Sequence, residues 1–297
     1  MRSSKPFLID FFVIGAQKCA TSWLYYCLDE HPQVIVPDDK VEHAYIGGDL
    51  FKNKGEDWYF GRFSETDQQK VVGDVAVDYM IDPAAPCAVS NYTRNPKFVA
   101  CIRNPVDRMV SAYFWKVRRG YLPNKPIERA FKPLLSQPTG FPNRLDEPHL
   151  DSLVTRSFYG EQLAPYVDQY SPDSLLVVLY DDIQCDRKHV VRKVFSHLGV
   201  QSTYVPPSLD QKPKVNTKYK TLIDIERMIP GRTGAIIGDY LNRILSFTSS
   251  RNNPLPAEMK KELLVKFKPH IRDVEQILDR TPHENRPSTI NLWELWS

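Results

Sequence analysis

Four short apolar runs, each followed by turn residues, constrain the fold of this chain more than any other feature of its sequence. They span residues 8–14, 71–77, 97–102 and 175–180. Short strands that are rich in Val, Ile or Phe and do not alternate regularly with polar residues are typically buried on both faces, as in a parallel sheet covered by helices. The sequence therefore predicts a three-layer α/β fold with a mainly parallel central sheet flanked by helices.

Amphipathic patterns between and after these runs predict the covering helices. The first begins where Thr21 or Ser22 can act as a cap. Another spans about 186–198, and a last one covers about 256–279. Pro269 is expected to kink or split that last helix, because proline lacks the N–H group that the helix requires.

Length and composition favour a single globular domain over residues 1–297. The chain is 42% hydrophobic and 25% charged, and it contains no internal repeat or low-complexity tract. Its 39 Lys plus Arg against 36 Asp plus Glu leave a net charge of +3. An excess this small gives no reason to expect a nucleic-acid partner.

Cysteine spacing and hydropathy point to a reducing compartment and to no membrane association. The five cysteines are scattered without Cys-x-x-Cys spacing, which argues against a disulfide framework and a structural zinc site. No stretch reaches the roughly 18 to 20 apolar residues that a membrane span needs. Asp10 interrupts the first apolar run, which favours a strand over a signal peptide. We therefore expect a cytoplasmic protein that needs no metal.

Residues 15–23, GAQKCATSW, have the composition of an anion-binding loop. They join a strand to a helix, where backbone N–H groups and the helix dipole attract negative charge. Lys18 adds a cation, and Thr21 and Ser22 add hydroxyl donors. A Walker A loop would need Gly-Lys where the chain has Ala20-Thr21, so ATP or GTP chemistry with Mg²⁺ is disfavoured. The alternative is an ordinary turn with a surface lysine.

A second candidate anion-binding element follows the third apolar run. Arg103 stands at the carboxyl end of that strand, where open α/β sheets bind their ligands. Ser111 lies about two turns into the next helix, so an arginine fork and a hydroxyl could meet on one phosphate. The alternative is that Arg103 and Arg108 pair with Asp107 or other carboxylates on a solvated face.

Taken together, these segments resemble the motifs of the sulfotransferases that use 3′-phosphoadenosine 5′-phosphosulfate (PAPS). Residues 18–23 resemble the 5′-phosphosulfate loop of that family, and residues 103–113, RNPVDRMVSAY, resemble its 3′-phosphate element. Residues 175–183 and 195–199 are similar to the family's Tyr-Glu-Asp-Leu strand end and its Phe-x-x-Leu-Gly helix end. The family's loop glycine is Ala20 here, which would be strained if that position requires a positive φ.

The resemblance implies a P-loop-NTPase-like sulfotransferase fold and a PAPS site in two halves. Lys18 would contact the 5′-phosphosulfate and stabilise the leaving phosphate oxygen. Arg103 and Ser111 would bind the 3′-phosphate, with Tyr180 near the adenine. The resemblance assigns further contacts with the nucleotide to Gln17, Cys19, Ala20, Thr21, Ser22 and Trp23.

Two neighbouring residues are candidates for the base that removes the acceptor's proton. Carbohydrate-type members of the family use the glutamate of a Lys-Glu-x-x-Phe-Phe motif, but Val41 stands at that position and Glu42 follows it. A displacement of the loop by one residue would make Glu42 the base. Alternatively, His43 takes this role, as a histidine does in the small-molecule branch. Both could also be solvated loop residues, and Asp74 is a weaker candidate for substrate contact.

The implied activity is transfer of a sulfonate group from PAPS to a hydroxyl or amine, with 3′-phosphoadenosine 5′-phosphate (PAP) as product. In-line transfer of this kind depends on positioning and on electrostatic stabilisation of the leaving oxygen. The expected acceptor is a saccharide or small natural product, as in the bacterial, carbohydrate-type branch. The alternatives are a PAPS- or PAP-binding protein without catalysis, and a nucleotide kinase. Trp293 and Trp296 could dock on the body of the protein or on a second subunit.

Overall fold

A computed structural model of the chain describes residues 8–39, 43–63, 70–141, 148–211 and 255–297. The described residues form one five-stranded sheet in the order β2-β3-β1-β4-β5, and all neighbouring strands are parallel. This confirms the predicted α/β fold with a parallel central sheet. The strands are β1 (Phe11–Gly15), β2 (Val34–Ile35), β3 (Val71–Val75), β4 (Lys97–Ile102) and β5 (Leu175–Leu179).

The four predicted strands are all present, with small differences at their ends. β4 has the predicted bounds, whereas β1 begins three residues later than expected, at Phe11. β5 ends one residue early, because Tyr180 already belongs to the next helix. Gly73 in β3 lies opposite Phe11, and a Cβ atom there would come within 2.0 Å of the Phe11 ring. The glycine therefore makes room for an aromatic side chain in the neighbouring strand.

Helices occupy most of the connections between the strands. Among the described residues they are α1 (Thr21–Asp29), α2 (Asp49–Lys54), α3 (Glu56–Phe60), α4 (Ala85–Val89), α5 (Pro105–Arg118), α6 (Ile127–Phe131), α7 (Pro148–Thr155), α8 (Tyr159–Tyr170), α9 (Tyr180–Cys185), α10 (Arg187–Leu198), α11 (Ala257–Arg280) and α12 (Leu292–Trp296). Short 3₁₀ turns cover Ser90–Tyr92, Lys132–Leu135, Pro172–Ser174 and His283–Asn285.

Aromatic side chains attach helices to the sheet. Phe12 of β1 stacks on Phe98 of β4, and the Phe98 ring meets Tyr166 of α8 at a centroid distance of 4.9 Å. Helix α10 contacts β4 and β5, and its Phe195 packs edge-on against His31, which follows α1. Burial of each such ring contributes roughly 2 kcal/mol to folding. These contacts anchor the sheet whose carboxyl edge carries the predicted site.

Helix α11 runs through Pro269 as one helix, so the expectation that this proline splits it is wrong. Proline at this position removes the donor to the carbonyl of Val265, four residues earlier. Val265 is exposed, so its carbonyl lies on a face where water can replace the missing donor.

The described residues group into two compact units. Those within 8–104, 158–211 and 269–297 form the first, which holds the whole sheet, and those within 105–157 and 255–268 form the second. The single domain expected over residues 1–297 stays a prediction. Among the described residues, no helix combines the length and hydropathy needed to cross a bilayer.

Candidate active site

The carboxyl ends of β3, β1, β4 and β5 lie side by side at one edge of the sheet. The loop that contains Lys18 follows β1, and Asp78 comes shortly after β3. Arg103 directly follows β4, and Tyr180 directly follows β5. Neighbouring strands are about 4.8 Å apart. The sheet order therefore arranges these groups along the edge as Asp78, the Lys18 loop, Arg103 and Tyr180.

The beginning of the Lys18 loop is held by β4 on one side and by the segment that follows β3 on the other. The N–H of Ala16 donates to the carbonyl of Cys101 in β4 at 2.7 Å. On the other side, the N–H of Met80 donates to the carbonyl of Ile14 at 2.9 Å. A Cβ atom on Gly15 would lie 2.9 Å from Met80 Cβ and Sδ, so only glycine allows this close approach.

Two residues of the loop adopt the left-handed conformation. Lys18 has φ of 70° and Ala20 has φ of 69°. Ala20 is the N-cap of α1, and its carbonyl accepts from the N–H groups of Trp23 and Leu24. The position of the family's glycine thus has the φ that glycine favours, and alanine is strained there. The expectation that Thr21 or Ser22 caps the helix is wrong, because Thr21 is already helical and no side chain caps α1.

The predicted loop residues divide into buried and half-exposed side chains. Lys18 and Ser22 are half-exposed at the sheet edge, whereas Thr21 is buried. The Cys19 side chain is fully buried, with Sγ 3.9 Å from the Tyr159 hydroxyl. Trp23 is also buried, and its indole N–H donates to the carbonyl of Leu209 at 3.1 Å. The side chains of Cys19 and Trp23 therefore support the loop from the core.

Gln17 has a buried polar atom without a partner. Its side chain is almost fully buried, and its Oε1 accepts no hydrogen bond from any described residue. An unsatisfied buried acceptor costs about 1–3 kcal/mol, so a donor on a bound ligand would be stabilised here.

Arg103 and Tyr180 form a stacked pair. The guanidinium carbon of Arg103 lies 4.2 Å from the centroid of the Tyr180 ring, and both residues are half-buried. A guanidinium that stacks with its face on an aromatic ring keeps its N–H donors at its edge. The pair therefore presents a fixed fork of donors that suits a phosphate.

Residues 105–113, which continue the segment that resembles the 3′-phosphate element, lie in the second unit. Ser111 is a half-exposed residue of α5, as the helical pattern predicted. Arg108 is fully buried, and its guanidinium donates to the Ser157 hydroxyl and to the Leu153 carbonyl. Asp107 pairs with Lys260 at 2.8 Å. The alternative that placed Arg108 on a solvated face is therefore wrong.

His43 and Asp78 form a histidine–carboxylate pair. Nδ1 of His43 is hydrogen-bonded to Oδ2 of Asp78. The His43 side chain is 62% exposed, whereas that of Asp78 is only 9% exposed. A carboxylate on Nδ1 orients the ring and favours the tautomer whose Nε2 lone pair can accept a proton. Glu42, the first candidate for the base, lies outside the described residues.

Asp74 is buried in the core of the first unit. Its carboxylate accepts hydrogen bonds from the hydroxyls of Tyr59 and Tyr79 at 2.5 and 2.7 Å, and from the N–H of Val75. Burial raises the pKa of this carboxyl group, which Arg62 and these hydrogen bonds partly oppose. An enclosed carboxylate with these partners supports the fold, and contact between Asp74 and a substrate stays a prediction. Sequence reasoning overlooked Asp78, although it lies just beyond a predicted strand.

Comparison with known proteins places this chain in a family. The sequence model of the family described as "Sulfotransferase domain" matches residues 8–222. Membrane-associated sulfotransferase kil1 of Dictyostelium discoideum is 29% identical over 136 residues, which cover 44% of this chain and 28% of that protein. Bifunctional heparan sulfate N-deacetylase/N-sulfotransferase 3 of Homo sapiens is 24% identical over 209 residues, which cover 66% of this chain and 23% of that protein. The matches span only about a quarter of these relatives.

The fold is also that of a solved sulfotransferase. The crystal structure of sulfotransferase from Alicyclobacillus acidocaldarius superposes with a TM-score of 0.63 at 22% identity. The superposition covers 92% of this chain and 97% of that one. With the family model matching well over half of the sequence, and with the Lys18 loop and Arg103 at adjacent strand ends, this chain belongs to the sulfotransferase domain family.

Proposed function

We propose that this protein transfers a sulfonate group from PAPS to a hydroxyl or amine of a carbohydrate or small natural product, and releases PAP. The observation that carries the proposal is the order of groups along the sheet edge. The His43–Asp78 pair is followed by the Lys18 loop, then by Arg103 and Tyr180. A base, a 5′ anion site and a 3′ anion site in this order fit a nucleotide whose sulfonate end faces an acceptor.

PAPS is the donor substrate, and the two anion-binding elements divide it between them. Lys18 and the first turn of α1 suit the 5′-phosphosulfate, because a cation and a helix N-terminus both attract anions. Arg103, held on the Tyr180 ring, suits the 3′-phosphate through its fork of donors. Ser111, by its place in the motif, is the proposed second ligand of that phosphate.

The transfer itself requires one bond to form while another breaks. The acceptor oxygen or nitrogen attacks the sulfur in line, the bond from sulfur to the phosphate oxygen breaks, and PAP leaves with the electron pair. Lys18 neutralises the charge that develops on that phosphate oxygen. The acceptor's proton passes to a base of the protein.

His43 is the base that the proposal favours, with Glu42 as the second candidate. In neutral His43 the hydrogen bond to the nearly buried Asp78 holds the ring proton on Nδ1, which leaves the Nε2 lone pair to accept a proton. The aspartate also stabilises the imidazolium that forms on proton transfer. A saccharide acceptor is supported by the similarity to the heparan sulfate N-deacetylase/N-sulfotransferase, whose alignment covers 66% of this chain.

The first experiment measures binding of PAP by calorimetry and turnover with labelled PAPS against a panel of acceptors. The wild-type chain is expected to bind PAP and to add one sulfonate to an acceptor, detected by mass spectrometry. Lys18→Ala is expected to lower turnover at least ~100-fold, and Arg103→Ala to weaken PAP binding by about tenfold or more. Lys188→Ala, at an exposed position of α10, is the control. Absence of PAP binding to the wild type would refute the proposal, and binding without turnover would leave a nucleotide-binding protein.

A second experiment identifies the base. If His43 is the base, His43→Asn abolishes turnover and Glu42→Gln does not, while both variants bind PAP as the wild type does. Asp78→Asn is expected to lower kcat about tenfold or more without changing the affinity for PAP, because it removes only the orienting carboxylate. The opposite pattern, an inactive Glu42→Gln with an active His43→Asn, assigns the role to Glu42.

A further inference from the structure

Helix α12 contacts the residues that directly follow Arg103 and Tyr180. The backbone carbonyl of Trp296 accepts a hydrogen bond from the side-chain amide of Asn104 at 3.3 Å. The indole N–H of the same tryptophan donates to Oδ2 of Asp181 at 3.3 Å. Trp296 thus connects the end of β4 to the beginning of α9, two segments that meet at the proposed nucleotide site.

Trp296 can hold these two segments together because its own position is fixed by burial and by the contacts of its helix. Its side chain is 6% exposed, and the neighbouring Leu292 is fully buried. The side chain of Asn291 caps α12 by accepting from the N–H of Glu294. The N–H of Trp293 donates to Glu275 of α11 at 2.8 Å, which anchors the start of the helix.

The start of α9 has a second attachment to the same part of the chain. The backbone N–H of Ser288 donates to Asp182 at 3.1 Å, and its hydroxyl donates to the other oxygen of that carboxylate. Asp181 and Asp182, the two residues after Tyr180, are therefore both held by residues 288–296. These two attachments hold the first turn of α9, which begins at Tyr180.

We propose that Trp296 is a positioning residue for the 3′-phosphate half of the nucleotide site. By joining Asn104 to Asp181, it keeps the Arg103 guanidinium on the Tyr180 ring, with its donors directed to the 3′-phosphate. The inference rests on the proposed function, since it assumes that Arg103 binds that phosphate. It adds a residue that belongs to neither nucleotide-binding motif and lies far from both in the sequence.

The test compares PAP with adenosine 5′-phosphate, which lacks the 3′-phosphate. Trp296→Phe keeps an aromatic ring but removes the N–H donor. Because one hydrogen bond is lost, we expect this variant to bind PAP about fivefold more weakly in calorimetry. Its affinity for adenosine 5′-phosphate should be unchanged. Trp293→Phe, the same substitution in the same helix, is the control and should bind both nucleotides as the wild type does.

Two variants of Asp181 show whether the effect passes through the predicted contact. Asp181→Asn keeps an oxygen that can accept from the indole and should retain PAP affinity. Asp181→Ala should lower the affinity for PAP about as much as Trp296→Phe does. The double variant Trp296→Phe/Asp181→Ala should bind PAP as tightly as either single variant.

Several outcomes would overturn the inference. Equal losses for both nucleotides in Trp296→Phe would mean that the effect does not act on the 3′-phosphate half of the site, and unchanged PAP affinity would mean that the contact is irrelevant to binding. Additive losses in the double variant would also contradict it. If the wild type binds no PAP at all, the proposed function fails and this inference fails with it, a result distinct from the others.

Discussion

Ala20 shows how one residue of the site departs from what its backbone favours. Its φ of 69° belongs to the left-handed region, where a residue with a Cβ atom costs roughly 1–2 kcal/mol. The carbonyl of Ala20 accepts the first hydrogen bonds of α1, so the strained conformation is coupled to the start of that helix. A small side chain is tolerated because the residue is only half-buried.

Restoring glycine at this position is expected to stabilise the protein. Ala20→Gly removes the strain but makes the unfolded chain more flexible, so the free energy of unfolding should rise by a net ~0.5–1 kcal/mol. Urea denaturation of both proteins measures the difference. Ala112→Gly, within α5, is the control and should lower stability by about 1 kcal/mol or more. A loss of stability in both variants would contradict the strain at residue 20.

Two aspartates four positions apart, Asp74 and Asp78, show how residues of the same type acquire different roles. Asp74 faces Tyr59 and Tyr79 in the core, whereas Asp78 lies beyond the strand end and binds His43. Their spacing in the sequence gives no sign of this difference. It arises because β3 ends between them.

At the scale of elements, helix α10 begins and ends where its sequence predicts. Asp186 caps the helix by accepting from the N–H of His189, and Gly199 ends it in the left-handed conformation. In its last turn, His197 lies between the Asn285 side chain and the Ser174 carbonyl. Burial, and next the charge of Lys97, lower the pKa of His197 to about 4.

This shift predicts a loss of stability in mild acid. Between pH 6.5 and about 4 the unfolded chain protonates His197 while the folded protein does not, so stability falls as the pH falls through this range. The loss should approach roughly 3 kcal/mol for a shift of this size. Urea denaturation from pH 7 to pH 4.5 should give a steeper decline for the wild type than for His197→Gln. Parallel declines would show that His197 is not responsible.

At the scale of the whole molecule, the cysteines belong to the packed core or to the surface and do not form disulfides with one another. All five cysteines lie in the described part of the chain, and none of them is in a disulfide. Cys19, Cys27 and Cys101 are buried, and Cys87 and Cys185 are exposed. Burial raises the pKa of Cys27 to about 12 and raises that of Cys101 as well.

Thiol labelling with a disulfide reagent at pH 8 should therefore distinguish the two groups. Two thiols are expected to react rapidly in the native protein, and all five after denaturation, because only exposed thiolates are reactive. Cys87→Ser/Cys185→Ser should eliminate the rapid phase. Three or more rapidly reacting thiols in the native wild type would contradict this packing of the core.

The strands, the loop between β1 and α1, the position of Arg103 after β4 and the ends of α10 could all be predicted from the sequence. These features depend on residues within a few positions of one another, through side-chain periodicity, caps and turns. The order of the strands, by contrast, follows from contacts between distant parts of the chain. So do the His43–Asp78 pair, 35 positions apart, and the Asn104–Trp296 contact, 192 positions apart. The tertiary structure also decided the φ of Ala20, because the same residue types suit several backbone conformations until neighbouring segments hold the loop.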